Sequence, residues 1–178
     1  MKLAARPTSA TVTASAAAPC PAVYAGTFDP MTYGHLDVAI RAARVFSPLT
    51  LAVAAHPHKH LLFDIHERVA LAQTCLKNVP GVQVMPFDGL LVDWTRAQGI
   101  HVIIRGLRAF SDFEYEFQMA LTNRKLAPDL ETYFLMPAAD YSYVSSSMVR
   151  EIAELHGDVR KFVPPPVARA LRKRYPAP

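Results

Sequence analysis

The segment GTFDPMTYGH, residues 26–35, sets a turn, hydroxyls, a carboxylate and an imidazole between an apolar run and a helical pattern. Gly26 lets the backbone come close to a ligand. Thr27 adds a hydroxyl and an N–H. Gly34 and His35 stand where a helix begins, and the open N–H groups and dipole of a helix N-terminus favour negative charge. Ser145, Ser146 and Ser147 precede a second helical pattern and offer three hydroxyls beside another such terminus. Lys59, Arg105 and Arg108 each follow an apolar run. Cations, hydroxyls and helix starts together suit phosphate chemistry. Two common phosphate loops are absent: there is no G-x-x-x-x-G-K-[ST], and no G-x-G-x-x-G after the first apolar run, which argues against a P-loop kinase and a dinucleotide dehydrogenase.

These residues need elements to hold them. Apolar runs predict strands at 21–26, 49–55, 82–87, 101–105 and 132–136. Between them, 3.6-residue patterns predict helices at 35–46, 65–78, 89–98 and 112–126. Two more follow, over 146–155 and from the prolines at 164–166. Asp64 with Glu67 and Ser111 with Glu114 read as capping boxes. Gly99 and Gly157 lie just past helix ends. Such alternation predicts an α/β fold, a Rossmann-like, doubly wound, five-stranded parallel sheet with helices on both faces and the last helices appended. Ligands of such sheets sit at the carboxyl ends of the strands. There the polar residues following each strand converge on one basic rim.

A chain of 178 residues with 51% apolar residues suits one domain, placed at 21–175. Residues 1–20 are rich in Ala, Ser, Thr and Pro, lack acids and read as a disordered extension. The terminal YPAP reads as frayed. No apolar run approaches the roughly 18 residues of a membrane span. Cys20 and Cys75 form neither a disulfide framework nor a zinc pattern, and Cys75 falls on an apolar helix face. That usage suits a cytoplasmic protein. The net charge of +4 fits small anionic substrates and makes no demand for nucleic acid.

GTFDPxTxGH resembles the signature of the nucleotidylyltransferase superfamily, whose members carry (H/T)-x-G-H after the first strand; here it reads Thr32-Tyr33-Gly34-His35. From about residue 22 to 175 the chain is similar to the phosphopantetheine adenylyltransferase family. HPHKH around Lys59, IRGLRAFSDFEYE (104–116), FLMP (134–137) and YVSSSMVRE (143–151) carry the rest of the match. The resemblance implies transfer of the adenylyl group of ATP to 4′-phosphopantetheine, giving dephospho-coenzyme A and pyrophosphate. It implies Mg²⁺ as cofactor, direct in-line attack without a covalent intermediate, and a homo-oligomer, typically a hexamer. His35, Lys59 and Arg105 are then the catalytic residues, with His35 on the ATP α-phosphate. Lys59 and Arg105 hold the phosphopantetheine phosphate. Thr27 lies at the junction of the two substrates, and Leu91 lines the pantetheine arm. Phe28, Arg108, Glu116, Tyr141, Ser145, Ser146 and Ser147 belong to the ATP site. No residue is assigned as a metal ligand.

Alternatives stay in view. Another nucleotidyl acceptor, such as nicotinamide mononucleotide, fits the first motif equally. Arg169, Arg172, Lys173 and Arg174 on the last helix could meet nucleic acid, but no recognised binding motif accompanies them. His56, His58 and His60 alternate in the manner of zinc ligands on an extended chain, yet Pro57 and Lys59 between them favour a positive loop near phosphates. Asp29 resembles a base by type but reads better as a residue that holds the loop's shape. The chain has Ala25 where the family usually has proline, from which a looser entry into the loop is expected.

Overall fold

In the first strand, β1 (Ala22–Gly26), alternate residues face two different cores. Ala22 and Tyr24 join a large cluster built from one set of helices, while Val23 and Ala25 pack with Ala52, Ile100, Leu91 and Trp94 on the opposite side. A strand buried on both faces reads as a continuous apolar run, as this one does. The computed structural model describes residues 19–55, 61–108 and 110–176, and of residues 110–112 the backbone alone.

The element order is β1, α1 (Tyr33–Ala43), β2 (Leu49–Ala54), α2 (Ile65–Leu76), β3 (Val82–Phe87), α3 (Leu91–Ala97), β4 (Val102–Gly106), α4 (Phe110–Leu126), β5 (Glu131–Leu135), a 3₁₀ turn (Ala139–Tyr141), α5 (Ser146–Glu154) and α6 (Pro165–Arg174). The sheet runs β3-β2-β1-β4-β5 and every pairing is parallel. Tyr24 is thus flanked by Leu51 and Ile104. The chain leaves β1 toward β2 on one side and returns at β4 on the other. The loops after β1 and β4 therefore diverge and open a crevice at the strands' carboxyl ends.

Several boundaries differ from the sequence expectation. Helix α1 starts at Tyr33, two residues early, because Thr32 is the cap: its extended backbone lets its hydroxyl accept from the His35 N–H at 3.3 Å. His35 is thereby the third helical residue. Helix α3 starts late, at Leu91, because Gly89 adopts a left-handed φ of 79° ahead of it. Helix α4 begins at Phe110, ahead of the expected start at 112. Past α5 the left-handed residue is His156, at φ 59°, not Gly157. His156 donates to Ala153 O and Gly157 to Ile152 O, a Schellman closure. Gly157 is needed for contact instead: a Cβ there would sit 2.7 Å from Ile152 Cγ2 and 3.1 Å from its carbonyl oxygen. Tyr175, expected to fray, packs against the main core.

The Asp64–Glu67 capping box on α2 is present in both directions. Ala72 and Leu76 of that helix are fully buried, Val69 and Cys75 pack partly buried against the same core, and Arg68 is buried beside them. Cys75 is half-buried, and burial pushes its thiol up to about 11, so it behaves as a small apolar side chain.

Candidate functional site

A cavity of about 510 Å³ opens at the carboxyl ends of β1 and β4. Thr27, Phe28, His35, Arg105, Arg108, Glu116, Ser145, Ser146 and Ser147 all line it. Residues up to 120 positions apart thus meet in one crevice, as the strand-end argument requires.

His35 is held by its own helix cap. The Thr32 backbone N–H donates to His35 Nδ1 at 3.1 Å, and the Thr32 hydroxyl lies 3.1 Å from the same nitrogen. The imidazole thus fills the position that Glu or Gln takes in an ordinary capping box. An N–H donor at Nδ1 requires that nitrogen to be unprotonated, so the proton of the neutral ring belongs on Nε2. Phe28 packs edge-on to the ring at 5.2 Å. The residue as a whole is only half-buried, yet scarce water around the ring, reinforced by the charges of Arg108 and Arg105, pushes its pKa from 6.5 down to about 3. His35 is therefore a neutral Nε2–H donor of fixed tautomer.

This has a stability consequence. In the unfolded chain the imidazole takes a proton near its ordinary 6.5, which the folded protein refuses until about 3. Above 6.5 both states are neutral and the contribution is flat. Stability is expected to fall as pH drops from 6.5 toward 3, because the unfolded state binds more protons. Urea denaturation at pH 7.5 and pH 5 measures it. A His35→Gln variant, which can still cap Thr32, should lose less between those pH values than the unaltered protein.

Phe28 carries a left-handed φ of 50° and is buried. A side chain at Gly26 would meet its ring at 3.0 Å, so the glycine makes room for this turn. Asp29 is 1% exposed and accepts from the N–H groups of Leu62 and Phe63 at 2.8 and 3.0 Å. Arg150, from α5, donates to its backbone oxygen. Asp29 thus ties the first loop to the start of α2, which agrees with a shape-holding role.

Arg105 grips Glu116 through Nε and Nη2, both at 2.6 Å, and donates Nη1 to Ala25 O at 2.8 Å. Burial opposes its charge, but the bonds and charge of Glu116 outweigh that and hold the guanidinium more firmly protonated than usual. Three of the five N–H groups are engaged, leaving two for a ligand. Arg108 donates to Val144 O at 3.4 Å, beside the start of α5. Of the serines, Ser145 caps α5 by accepting from Met148 N–H at 3.0 Å. Ser146 donates to Pro30 O at 2.8 Å and Ser147 lies 3.5 Å from Arg150. The serine run therefore holds α5 to the first loop as well as facing the cavity.

Two expected residues do not reach this cavity. Tyr141 stacks on Tyr33 at 5.7 Å, and Leu91 packs on the α3 side of the sheet. Neither is among the lining residues. Lys59 and the histidines at 56, 58 and 60 lie outside the described residues, as do residues 1–18. Sequence reasoning missed Arg68, whose side chain is buried beneath this rim. Its spacing with Ala72 and Leu76, at i, i+4 and i+8, was the available signal. Among the described residues no group of three or more His, Cys, Asp or Glu is placed to hold a metal, and no helix is long and apolar enough to cross a membrane.

The cytidylyltransferase-like family model matches residues 23–152. A phosphopantetheine adenylyltransferase of Alkalilimnicola ehrlichii is 57% identical over 159 residues, covering 88% of this chain and 91% of the relative. One from Moorella thermoacetica is 54% identical over 154 residues, covering 86% and 96%. Among solved structures, the nicotinic acid mononucleotide adenylyltransferase of Plasmodium falciparum, complexed with NaAD, superposes with a TM-score of 0.64 over 89% of this chain and 96% of its own. At 16% identity that likeness speaks for the fold.

Proposed function

The chain belongs to the phosphopantetheine adenylyltransferase family, and from that membership we propose that it transfers the adenylyl group of ATP to 4′-phosphopantetheine, forming dephospho-coenzyme A and releasing pyrophosphate. The observation that carries the reading beyond family membership is His35. It is a neutral donor of fixed tautomer, on a cavity that also holds two arginines and a helix N-terminus.

The proposed step is direct in-line attack of the phosphopantetheine phosphate on the α-phosphorus, without a covalent intermediate. Attacking and leaving groups are both phosphates, so alignment and charge stabilisation matter more than a strong base. His35 donates Nε2–H to an α-phosphate oxygen as charge shifts in the transition state. Its position is prepaid by the Thr32 cap, so no reorganisation is needed at that moment. Arg105 offers its remaining N–H groups to the acceptor phosphate, oriented by Glu116. On this reading Glu116, given to the ATP site by resemblance, acts instead on the acceptor phosphate through the arginine it aims. Arg108 and the α5 N-terminus take the triphosphate, and Thr27 stands at the junction. Lys59 is assigned to the acceptor phosphate on family resemblance alone.

The cavity's acidic groups, Asp29 and Glu116, are committed to backbone N–H groups and to Arg105. The described residues thus offer no built seat for Mg²⁺. We assign the ion to the substrate, arriving as MgATP on phosphate oxygens and water, its usual preference.

A homo-oligomer, a hexamer by family, and a cytoplasmic location complete the reading. Helix α4 supports assembly: Phe113, Phe117 and Leu121 recur every four residues on one stripe, and each is close to half exposed. The two rings stack at 5.5 Å. Light scattering should give a mass near six chains, and a Phe117→Ser, Leu121→Ser variant should shift toward smaller species. A monomeric unaltered protein would refute the assembly.

The test of function is pyrophosphate release with MgATP, run in parallel with 4′-phosphopantetheine and nicotinamide mononucleotide. Release is expected with the first. Release with the second alone would sink the reading.

A further inference from the structure

Among the described residues Arg68 is the largest side chain that is fully buried, at 1% exposure. It donates Nη1–H to Thr27 O at 2.8 Å and to Ala54 O at 2.7 Å, Nη2–H to Ala55 O at 3.3 Å, and Nε–H to Phe63 O at 3.1 Å. Thr27 follows β1, Ala54 ends β2 and Ala55 follows it. A planar fork on a rigid helix thus gathers carbonyls from two neighbouring strand ends, where parallel strands leave their last oxygens without a ladder partner.

Filling this space needs no charge. A buried arginine carries a desolvation cost that an apolar side chain of similar volume avoids. The cation has a use at this place. The strand-end oxygens are the negative ends of their peptide dipoles, at the rim where phosphates are to bind. A guanidinium behind them occupies those oxygens and offsets their charge. It also fixes the Thr27 carbonyl, and with it the placement of Thr27 on the cavity wall.

We propose that Arg68, through its bond to the Thr27 carbonyl, is a positioning residue for the transfer site. It holds Thr27 and the ends of β1 and β2 in the geometry the reacting phosphates require. The proposal rests on the function given above. It predicts a specific coupling between two residues, beyond a general contribution to the fold.

The experiment combines Arg68→Lys and Arg68→Gln, each alone and each with Thr27→Ala. Lysine keeps the charge but cannot reproduce the fork. Arg68→Lys is expected to unfold cooperatively and to lower kcat by roughly 10²-fold, the usual effect of a misplacement near 1 Å. Its KM for ATP should change less than about threefold, since the loss is in the transition state. Arg68→Gln should lose more than the lysine variant. In the Thr27→Ala background the Arg68→Lys effect should shrink to below about threefold, because the group it positions is gone. Equal factors in both backgrounds would overturn the proposal. So would an unchanged kcat with only a lowered Tm, or failure of both Arg68 variants to fold, since the residue would then serve the fold alone. The unaltered enzyme in the same assay reports on the proposed function separately. If it releases no pyrophosphate, the proposed function fails and this proposal with it, whereas an active enzyme with equal factors in both backgrounds overturns this proposal alone.

Discussion

Replacing His35 with alanine is expected to lower kcat by about 10²- to 10³-fold, the usual loss when a donor to developing charge is removed. Binding of ATP should weaken far less, because Arg108 and the α5 terminus remain. The substitution also strips the Thr32 N–H of its partner, which costs roughly 1 kcal/mol as a lost cap. The two effects can be separated. His35→Glu restores the reciprocal cap in its ordinary Thr-x-x-Glu form, so stability should recover. It also places a carboxylate against phosphate, so turnover should fall at least as far as in the alanine variant. Pyrophosphate-release rates and urea midpoints, measured on the same samples, decide the matter. Near-normal turnover in either variant would refute the role. Since His35 is neutral well above and below its ordinary value of 6.5, kcat should show no inflection near that pH from this residue.

The second large effect concerns Asp29. By type and place it resembles a general base, but its two carboxylate oxygens are committed to the N–H groups of Leu62 and Phe63. Asp29→Ala would strand both donors, one of them in a buried bond, and would weaken the attachment of Arg150 on α5. Breaking such a buried network costs about 3 kcal/mol. Tm should fall by several degrees, and kcat should follow as the first loop loses its anchor. Asp29→Asn keeps one acceptor oxygen and should lose clearly less. A base would behave in the opposite way: asparagine would abolish turnover with the fold untouched. Thermal unfolding beside kcat for the two variants distinguishes these outcomes, and an inactive but fully stable Asp29→Asn protein would return Asp29 to the chemistry.

Much of this was legible before any coordinates. The alternation of apolar runs with 3.6-residue patterns forces parallel strands joined by helices, and every expected strand appears within a residue or two. The Asp64–Glu67 cap was readable because its partners are three residues apart. The convergence of Thr27, His35, Arg105, Arg108 and the serines followed from one rule about strand ends. Other features were hidden for a definite reason. Thr32-x-x-His35 is as local as any cap, but histidine is not the usual partner, so the start of α1 was misplaced by two residues. Arg68 was passed over because a charge on a helix reads as solvated until its neighbours at i+4 and i+8 are seen to be buried.

What periodicity and local spacing carry is the fold class, the order of elements, and which residues end up at the rim of strand ends. They do so because each depends on near neighbours in the chain. The state of the site depends on distant ones. The ring proton of His35 belongs to Nε2 and its pKa is low because of burial and of two arginines about 70 residues away. Arg105 is aimed by Glu116 and by a carbonyl 80 positions back. Asp29 tethers the first loop because residues 33 and 34 positions on turn their N–H groups to it. Tyr141 and Leu91 part from the cavity for the same reason: their partners, Tyr33 and the α3-side core, are set by packing. Charge state and aim are properties of contact, and contact at long range is decided by the folded chain alone.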